Sequence, residues 1–281
     1  MESNGEVIDA GIDYISLTML NDNPNVQAWQ GAANAYLQTI AALGNEMVES
    51  RRLGYEGYAV AGSFVGRRER DTIAVYSGER AKVAYSRLYR RDCHVSRLDV
   101  QVSYRFKFTT NNVAQMARSS VERANVKISG ARQRNATLIE DLRGGATCYV
   151  GTRKSEQFAR IYNKEAESND SKYERVWRYE VQLKNRLAGQ LAEQIASGTY
   201  TESNHALVFV KQWLARRGVS TPWKADAELL PLPRLDKNSS QVETKLEWLR
   251  TQVRPTLRSL LKYGLRDDIL SALGLDDSPD S

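Results

Sequence analysis

The chain has 281 residues, of which 41% are hydrophobic and 26% are charged, proportions that are ordinary for a soluble globular protein. They exclude a wholly disordered chain, and no apolar stretch approaches the ~20 residues that a membrane-spanning helix needs. Forty Lys and Arg residues against 34 Asp and Glu residues give a formal net charge of +6, a basic excess that favours polyanionic partners but does not establish one.

The first predicted elements are a strand, a helix and an antiparallel meander. Residues 12–18 (IDYISLT) alternate apolar and polar side chains, as a half-buried strand does. After the turn-rich NDNPN, residues 26–43 carry apolar side chains near helical spacing, and Gly44 stands where a C-terminal cap is expected. Residues 55–87 offer short segments rich in Tyr, Val and Ile between Gly and charged turns, which is typical of antiparallel strands.

A second round of the same kind follows. It comprises a strand at 96–106, a helix near 113–124, a loop with Gly144 and Gly145, and strands at 147–151, 157–163 and 175–184. The two rounds predict an α+β fold, with a duplicated strand-helix-meander unit and an antiparallel sheet that helices cover on one face. No residue-level repeat accompanies this duplication.

The chain past residue 184 has a different character, because only helices are predicted there. These helices span residues 187–196, 202–216, 241–252 and 255–272. A polar loop that contains prolines precedes the third of them and places a domain boundary near residue 235. We therefore expect three parts: a main α+β domain at 1–185, packed helices at 186–234 and a C-terminal helical segment at 235–281.

The C-terminal segment is basic as well as amphipathic. Its run KLEWLRTQVRPTLRSLLKYGL places cations among apolar residues at helical spacing, namely Lys245, Arg250, Arg254, Arg258 and Lys262. Such a pattern is typical of a helix that packs against the body of a protein, and it also suits binding of DNA or of a partner. Both interpretations stay open.

Cysteines are few, since only Cys93 and Cys148 occur. They cannot form a disulfide framework and lack metal-site spacing, so a reducing compartment is expected. The N-terminus lacks the basic-then-apolar order of a signal peptide. The sequence therefore predicts a soluble cytoplasmic protein.

Three predicted strands each divide into two rows, since alternate residues of a strand point to opposite faces. One row is apolar: Leu98, Val100 and Val102, then Ala159 and Ile161, then Trp177, Tyr179, Val181 and Leu183. The other row is mostly polar: Arg97, Asp99 and Gln101, then Phe158, Arg160, Tyr162 and Lys164, then Arg178, Glu180, Gln182 and Lys184. If the apolar rows share one core, the polar rows converge on the other face of the sheet.

That face would combine three kinds of chemistry. Asp99 and Glu180 can hold a hard divalent cation through oxygen, the Tyr162 hydroxyl can act as a nucleophile, and cations can hold phosphate. Alternating Arg and Glu residues are also common as simple cross-strand pairs, and tyrosine is frequent in strands. The alternation alone therefore leaves a structural role open beside a catalytic one.

Three segments carry a family resemblance. They are SRLDVQV (residues 96–102), CYVGTRKSEQFARIYNKEAE (148–167) and VWRYEVQLK (176–184). Together they resemble the replication initiation factor family, the rolling-circle initiators found in plasmids of Gram-positive bacteria and in filamentous and related phages. The second segment is the most specific, because an aromatic-Gly-x-Arg-x-Ser run stands just ahead of RIYNK.

The resemblance implies that residues 1–185 form a domain that nicks one DNA strand at a replication origin and rejoins it after displacement synthesis. The tyrosine of RIYNK, here Tyr162, would attack the phosphodiester, leaving a 5′-phosphotyrosyl link and a 3′-hydroxyl that primes synthesis. The acids of the RLD and R-x-E strands, here Asp99 and Glu180, would hold Mg²⁺ or Mn²⁺. Arg160 and Lys164 are expected to lower the pKa of Tyr162 and to neutralise the phosphate.

Further cations are expected to contact DNA. Arg153 and Lys154 belong to the GTRKS loop, where solvation of a turn would explain them equally well, and Arg178 and Lys184 stand on the third strand. The implied partners are origin DNA, single-stranded or in a hairpin at the nick site, a host helicase, a DNA polymerase and a second copy of the chain in a homodimer. No membrane partner is expected.

The chain departs from the family pattern in its acidic residues. Plasmid members often have an acid two residues beyond the R-x-E glutamate, where this chain has Gln182, and the segment before residue 90 shows no clear further acidic motif. A third metal ligand is therefore unassigned. The histidine pair of other rolling-circle initiators is absent, since His94 and His205 are the only histidines.

Two other functions stay open. One is a non-catalytic DNA-binding regulator of the same fold, which the presence of Tyr162, Asp99 and Glu180 disfavours. The other is a metal-dependent nuclease that uses water, in which Tyr162 is incidental. A covalent protein-DNA adduct would separate both from the nicking and joining enzyme.

Overall fold

The computed structural model describes residues 5–107, 136–140, 145–168, 170–198, 201–225 and 230–233, with residues 249, 253–266 and 268 nearer the C-terminus. The chain divides into two compact units, Met1–Pro233 and Arg234–Ser281. The predicted helix near 113–124 and nearly all of the predicted helix at 241–252 lie outside the described residues.

The first unit opens with a long strand, a helix and a meander. These elements are β1 (Gly5–Leu20), α1 (Val26–Ala41), β2 (Met47–Arg52), β3 (Tyr55–Val60), β4 (Ser63–Arg67) and β5 (Asp71–Ser77). Helix α2 (Glu79–Leu88) then leads to the second half of the sheet.

The second half again has a long strand and a meander. Its elements are β6 (His94–Phe106), β7 (Ala136–Glu140), β8 (Ala146–Val150), β9 (Gln157–Asn163), the short helix α3 (Lys164–Ser168), a 3₁₀ turn (Ser171–Tyr173) and β10 (Val176–Lys184). Helices α4 (Asn185–Ala196) and α5 (Glu202–Ala215) follow in this unit, and α6 (Arg254–Lys262) is the described helix of the second unit.

The described strands form one ten-stranded sheet in the order β2-β3-β4-β5-β1-β6-β10-β9-β8-β7, and every pairing is antiparallel. The order is symmetric about the central pair of β1 and β6. On each side a long strand is followed by four strands, and the last of these returns to pair with the long strand. This symmetry confirms the predicted α+β fold with a duplicated unit and an antiparallel sheet.

Helices cover one face of the sheet and share one core with it. Val100 and Val181 of the central strands are at most 1% exposed and lie in the same apolar cluster as Leu191 of α4 and Phe209 of α5. Helix α4 packs on β6 and β10, and α5 packs on β1, β6 and β10. None of the described helices is long and apolar enough to cross a membrane.

Residues 79–88 correct the sequence interpretation, because the segment predicted within antiparallel strands forms helix α2. Gly78, with a φ of 62°, separates β5 from this helix and adopts a backbone conformation that glycine favours. The buried residues of α2 are Ala81, Ala84, Tyr85 and Leu88. Their spacing of i, i+3, i+4 and i+7 is helical, so the signal was present in the sequence.

Leu183 of β10 provides a test of the core. The side chain is 1% exposed, so Leu183→Ala should lower the free energy of unfolding by about 2–5 kcal/mol, because buried methyl groups are lost and a cavity remains. Leu43→Ala is the control, since Leu43 is 80% exposed and should change the free energy by less than about 0.5 kcal/mol. Urea denaturation measures both variants, and equal losses would contradict this packing.

Candidate active site

The strand register brings the polar rows together. Glu180 on β10 lies opposite Arg160 on β9, and Tyr162 lies opposite Arg178. On the other side of β10, Gln182 lies opposite Asp99 of β6. Because residues directly opposite each other share a face of the sheet, the structure confirms the predicted convergence of these strands' polar rows on the face opposite α4 and α5.

The two carboxylates are buried and held by arginines, which is the kind of pairing that the sequence analysis left open as a structural role. Asp99 is 1% exposed; Arg97 donates from Nε to its Oδ1 at 2.9 Å and from Nη2 to its Oδ2. Glu180 is also 1% exposed, and its Oε1 accepts from Arg160 Nη2 at 2.5 Å. Each carboxylate is therefore fixed in orientation by a guanidinium on its own or a neighbouring strand.

The second oxygen of Glu180 makes this pair suitable for a cation. Among the described residues, no donor contacts the buried Glu180 Oε2. Burial raises the pKa of Asp99, and the nearby negative charge of Glu180 raises it further, against the opposing hydrogen bond from Arg97. Two carboxylates that repel each other, with one buried oxygen left over, fit a hard divalent cation.

Among the described residues, no three or more acids, histidines or cysteines form a group that could hold a metal ion. A third carboxylate nevertheless lies on the same face, and the sequence interpretation missed it. Asp13 of β1 accepts from Arg178 Nη1 at 2.9 Å. Burial raises the pKa of Asp13, and Arg178 opposes this effect.

A bulge explains why alternation does not reveal Asp13. The pairing of β1 with β6 shifts register between Ile12 and Tyr14, so Asp13 is the extra residue there. Strict alternation would place Asp13 in the row of Ile15 and Leu17, which are buried in the core. Ile12 is also in the core, although an even-numbered residue should face away from Ile15 and Leu17 in a regular strand. This break in the apolar alternation is a signal of the bulge in the sequence.

Tyr162 is enclosed by this polar face. Its side chain is 7% exposed; Arg160 lies 5.5 Å and Lys164 Nζ 5.9 Å from the ring centroid. Burial raises the pKa of Tyr162, the charge of Glu180 raises it further, and Arg178 opposes both. The pKa of Tyr162 is therefore raised, where Arg160 and Lys164 were expected to lower it, since desolvation outweighs the charges around the ring.

The cations predicted to contact DNA fall into two settings. Arg153 and Lys154 are exposed in the loop between β8 and β9, and Lys184 Nζ donates to the Arg153 carbonyl oxygen at 2.9 Å. Arg178 is instead 7% exposed, and besides Asp13 it donates from Nε to Ser103 Oγ at 3.1 Å. The DNA contacts of all four cations stay predictions.

Comparisons with known proteins cover both sequence and fold. A structure of a rolling circle replication initiator protein from Geobacillus stearothermophilus is similar, with a TM-score of 0.52 at 19% identity over 80% of this chain and 92% of that chain. No curated protein matched the sequence. The family model described as replication initiation factor matches residues 107–273, a range that includes Tyr162 and Glu180 and begins after Asp99. Because this match spans more than half of the chain, the protein belongs to the replication initiation factor family.

Proposed function

We propose that the protein starts rolling-circle DNA replication by nicking one strand of the origin through Tyr162 and rejoining that strand after displacement synthesis. The observation that carries this proposal is the shared face of the sheet, which holds Tyr162, Glu180 and Asp99 together with the arginines that pair with the two acids. A tyrosine hydroxyl next to paired carboxylates and guanidinium groups suits transfer of a phosphoryl group to tyrosine. Membership of the replication initiation factor family supports the same chemistry.

Cleavage forms one bond and breaks another. The Tyr162 oxygen bonds to phosphorus while its proton leaves to solvent, and the bond from phosphorus to the 3′ oxygen breaks. The 3′ oxygen takes up a proton, and the 5′ end stays linked to Tyr162 as a phosphodiester. This link conserves the energy of the broken bond, so the reverse attack by a 3′-hydroxyl reseals the strand without ATP.

The protein supplies positive charge where the phosphate must lie. Arg160 and Lys164 flank the ring of Tyr162 and would neutralise the phosphate oxygens. A Mg²⁺ or Mn²⁺ ion held by Asp99 and Glu180 would offset the negative charge that raises the Tyr162 pKa and would polarise a non-bridging oxygen. Arg178 would hold Asp13 toward the same face.

The strand must be unpaired at the cut, because in-line attack needs access that a duplex denies. A hairpin at the origin would provide such a strand, and the exposed Arg153 and Lys154 would contact its phosphates. Lys184 would hold the loop that carries them through its bond to the Arg153 carbonyl. A host helicase and a DNA polymerase would then act at the free 3′ end.

The proposal is tested with a single-stranded origin oligonucleotide labelled at its 3′ end, in the presence of Mg²⁺. We expect a labelled protein band that survives denaturation, and transfer of the label to a second oligonucleotide that ends in a 3′-hydroxyl. Cleavage without the labelled band would indicate a nuclease that uses water. Binding without cleavage would indicate a regulator of the same fold.

A further inference from the structure

A cavity of about 260 Å³ lies next to Tyr162. Strands β7, β8 and β9 and helix α3 all contribute to its walls, through residues that include Ile139, Thr147, Tyr149, Arg160, Tyr162 and Ala166. Asp99 and Glu180 are not among the residues around it. The cavity is therefore a neighbour of the carboxylate pair and shares Tyr162 and Arg160 with the proposed active site.

The side chains that line this cavity suit a planar aromatic ligand. Tyr149 offers a ring, and Ile139, which is 55% exposed, offers an apolar side chain. Thr147 adds a hydroxyl able to donate and to accept a hydrogen bond. Flat apolar surface combined with a few polar groups is the usual composition of sites for an unpaired base.

One arginine lines the cavity and a second lies against Tyr149, while Glu167 adds a single carboxylate to the wall. Arg153 lies over the Tyr149 ring at 4.4 Å from its centroid and bonds to the Tyr149 hydroxyl, while Arg160 lies on the side of Tyr162. A nucleotide whose base entered the cavity would thus find guanidinium groups near its phosphates. The volume of about 260 Å³ is below the range of about 300–1,000 Å³ that is typical for drug-sized ligands, so it suits one base rather than two.

We propose that this cavity receives one unpaired base of the strand to be cut, from a nucleotide that flanks the scissile phosphate, and that the base packs against Tyr149. The inference rests on the proposed function, since it takes the bound strand to be the one that Tyr162 attacks. Tyr162 and Arg160 both line the cavity, and Arg160 also pairs with Glu180. A base held in the cavity would therefore place the neighbouring phosphate beside Tyr162. The cavity would thereby help to select which phosphodiester is broken.

The test measures binding rather than cleavage, so that it does not depend on the chemistry. Single-stranded oligonucleotides spanning the origin nick site, each lacking one base in turn, are titrated against the Tyr162→Phe protein. Loss of the base that occupies the cavity should weaken binding between about 5-fold and 150-fold, the range expected for one base packed on an aromatic ring. In the double variant Tyr149→Ala, Tyr162→Phe, the abasic and the intact oligonucleotide should bind with nearly equal affinity. The base has then lost its contact with Tyr149, so its removal no longer matters.

Two matched variants complete the experiment. Tyr149→Phe keeps the ring and should keep the sensitivity to base removal. Tyr58→Ala removes a tyrosine from β3 that is 47% exposed and takes no part in the cavity, so it should leave the sensitivity unchanged. Base removal that has no effect at any position, or the same effect with and without Tyr149→Ala, would overturn the proposed base site.

Cleavage by the unmodified protein separates this inference from the proposed function. A covalent adduct without coupling between Tyr149 and any base would leave the nicking mechanism standing and remove the base site. If base removal and Tyr149→Ala are coupled but no covalent adduct forms, the base site stands and the nicking mechanism is removed. The protein would then hold a base at Tyr149 without using Tyr162 as a nucleophile.

Discussion

Replacement of Tyr162 by Phe should abolish the covalent adduct and lower strand cleavage by about 10³-fold or more, because it removes the attacking oxygen. The ring would remain between Arg160 and Lys164, which lie 5.5 Å and 5.9 Å from its centroid. We therefore expect the variant to fold and to bind origin DNA with nearly unchanged affinity. Single-turnover cleavage of a labelled oligonucleotide measures the loss, and fluorescence anisotropy measures the binding.

Tyr179→Phe is the matched control for this experiment. Tyr179 stands next to the proposed metal ligand Glu180 on β10, but it belongs to the core and its ring lies 5.0 Å from that of Trp223. Cleavage by this variant should stay at the level of the unmodified protein. Wild-type cleavage by Tyr162→Phe would remove Tyr162 as the nucleophile and make Tyr149 the next candidate.

The carboxylate pair gives the second large effect. Chelation by EDTA should abolish cleavage, and Asp99→Asn or Glu180→Gln should each lower it by about 10²-fold or more, because the cation that stabilises charge in the transition state is held less well. DNA affinity should be unchanged or slightly higher, since a negative charge near the phosphate is lost. Binding and chemistry should thus separate in these variants.

The arginine pairs found in the structure sharpen this prediction. Asp99→Asn leaves Arg97 and Glu180→Gln leaves Arg160 without a charged partner, but the two arginine side chains are 34% and 36% exposed and keep contact with water. The repulsion between the two carboxylates is also relieved. We therefore expect both variants to fold, with thermal unfolding as the check.

An exposed carboxylate provides the control for loss of charge alone. Asp170→Asn removes a negative charge from a side chain that is 42% exposed and paired with Lys172, and it should cleave normally. Unfolding of both Asp99→Asn and Glu180→Gln would show that the pair serves the fold through Arg97 and Arg160. Normal cleavage by both with Mg²⁺ would show that these carboxylates do not hold the cation.

Alternation along single strands was enough to predict which residues of β6, β9 and β10 share the polar face. Asp99, Arg160 and Glu180 lie where the period of two places them, because β6, β9 and β10 run without a bulge between them in the sheet. Alternation shows which face of the sheet a side chain lies on, but it does not show how deeply that side chain is buried. Asp99 and Glu180 are 1% exposed and lie beneath the longer side chains of Arg97 and Arg160 that pair with them.

Features that depend on several strands could not be predicted in this way. Asp13 reaches the site through a bulge, which breaks the parity on which the prediction rests. The cavity beside Tyr162 combines residues from 139 to 167 on three strands and a helix, so no single segment carries its pattern. The pKa of Tyr162 follows from burial in the assembled sheet, whereas the sequence shows only the charges nearby.

The central claim, that Tyr162 forms the covalent bond to DNA, is tested most directly by locating the bond. The protein is allowed to react with an origin oligonucleotide and Mg²⁺, the adduct is digested with a nuclease and then a protease, and the peptides are sequenced by mass spectrometry. We predict a nucleotide attached through its 5′ phosphate to the peptide that contains RIYNK, with the added mass on Tyr162. A nucleotide attached to Tyr149 or to any other residue would contradict the account, as would cleaved DNA with no attached peptide.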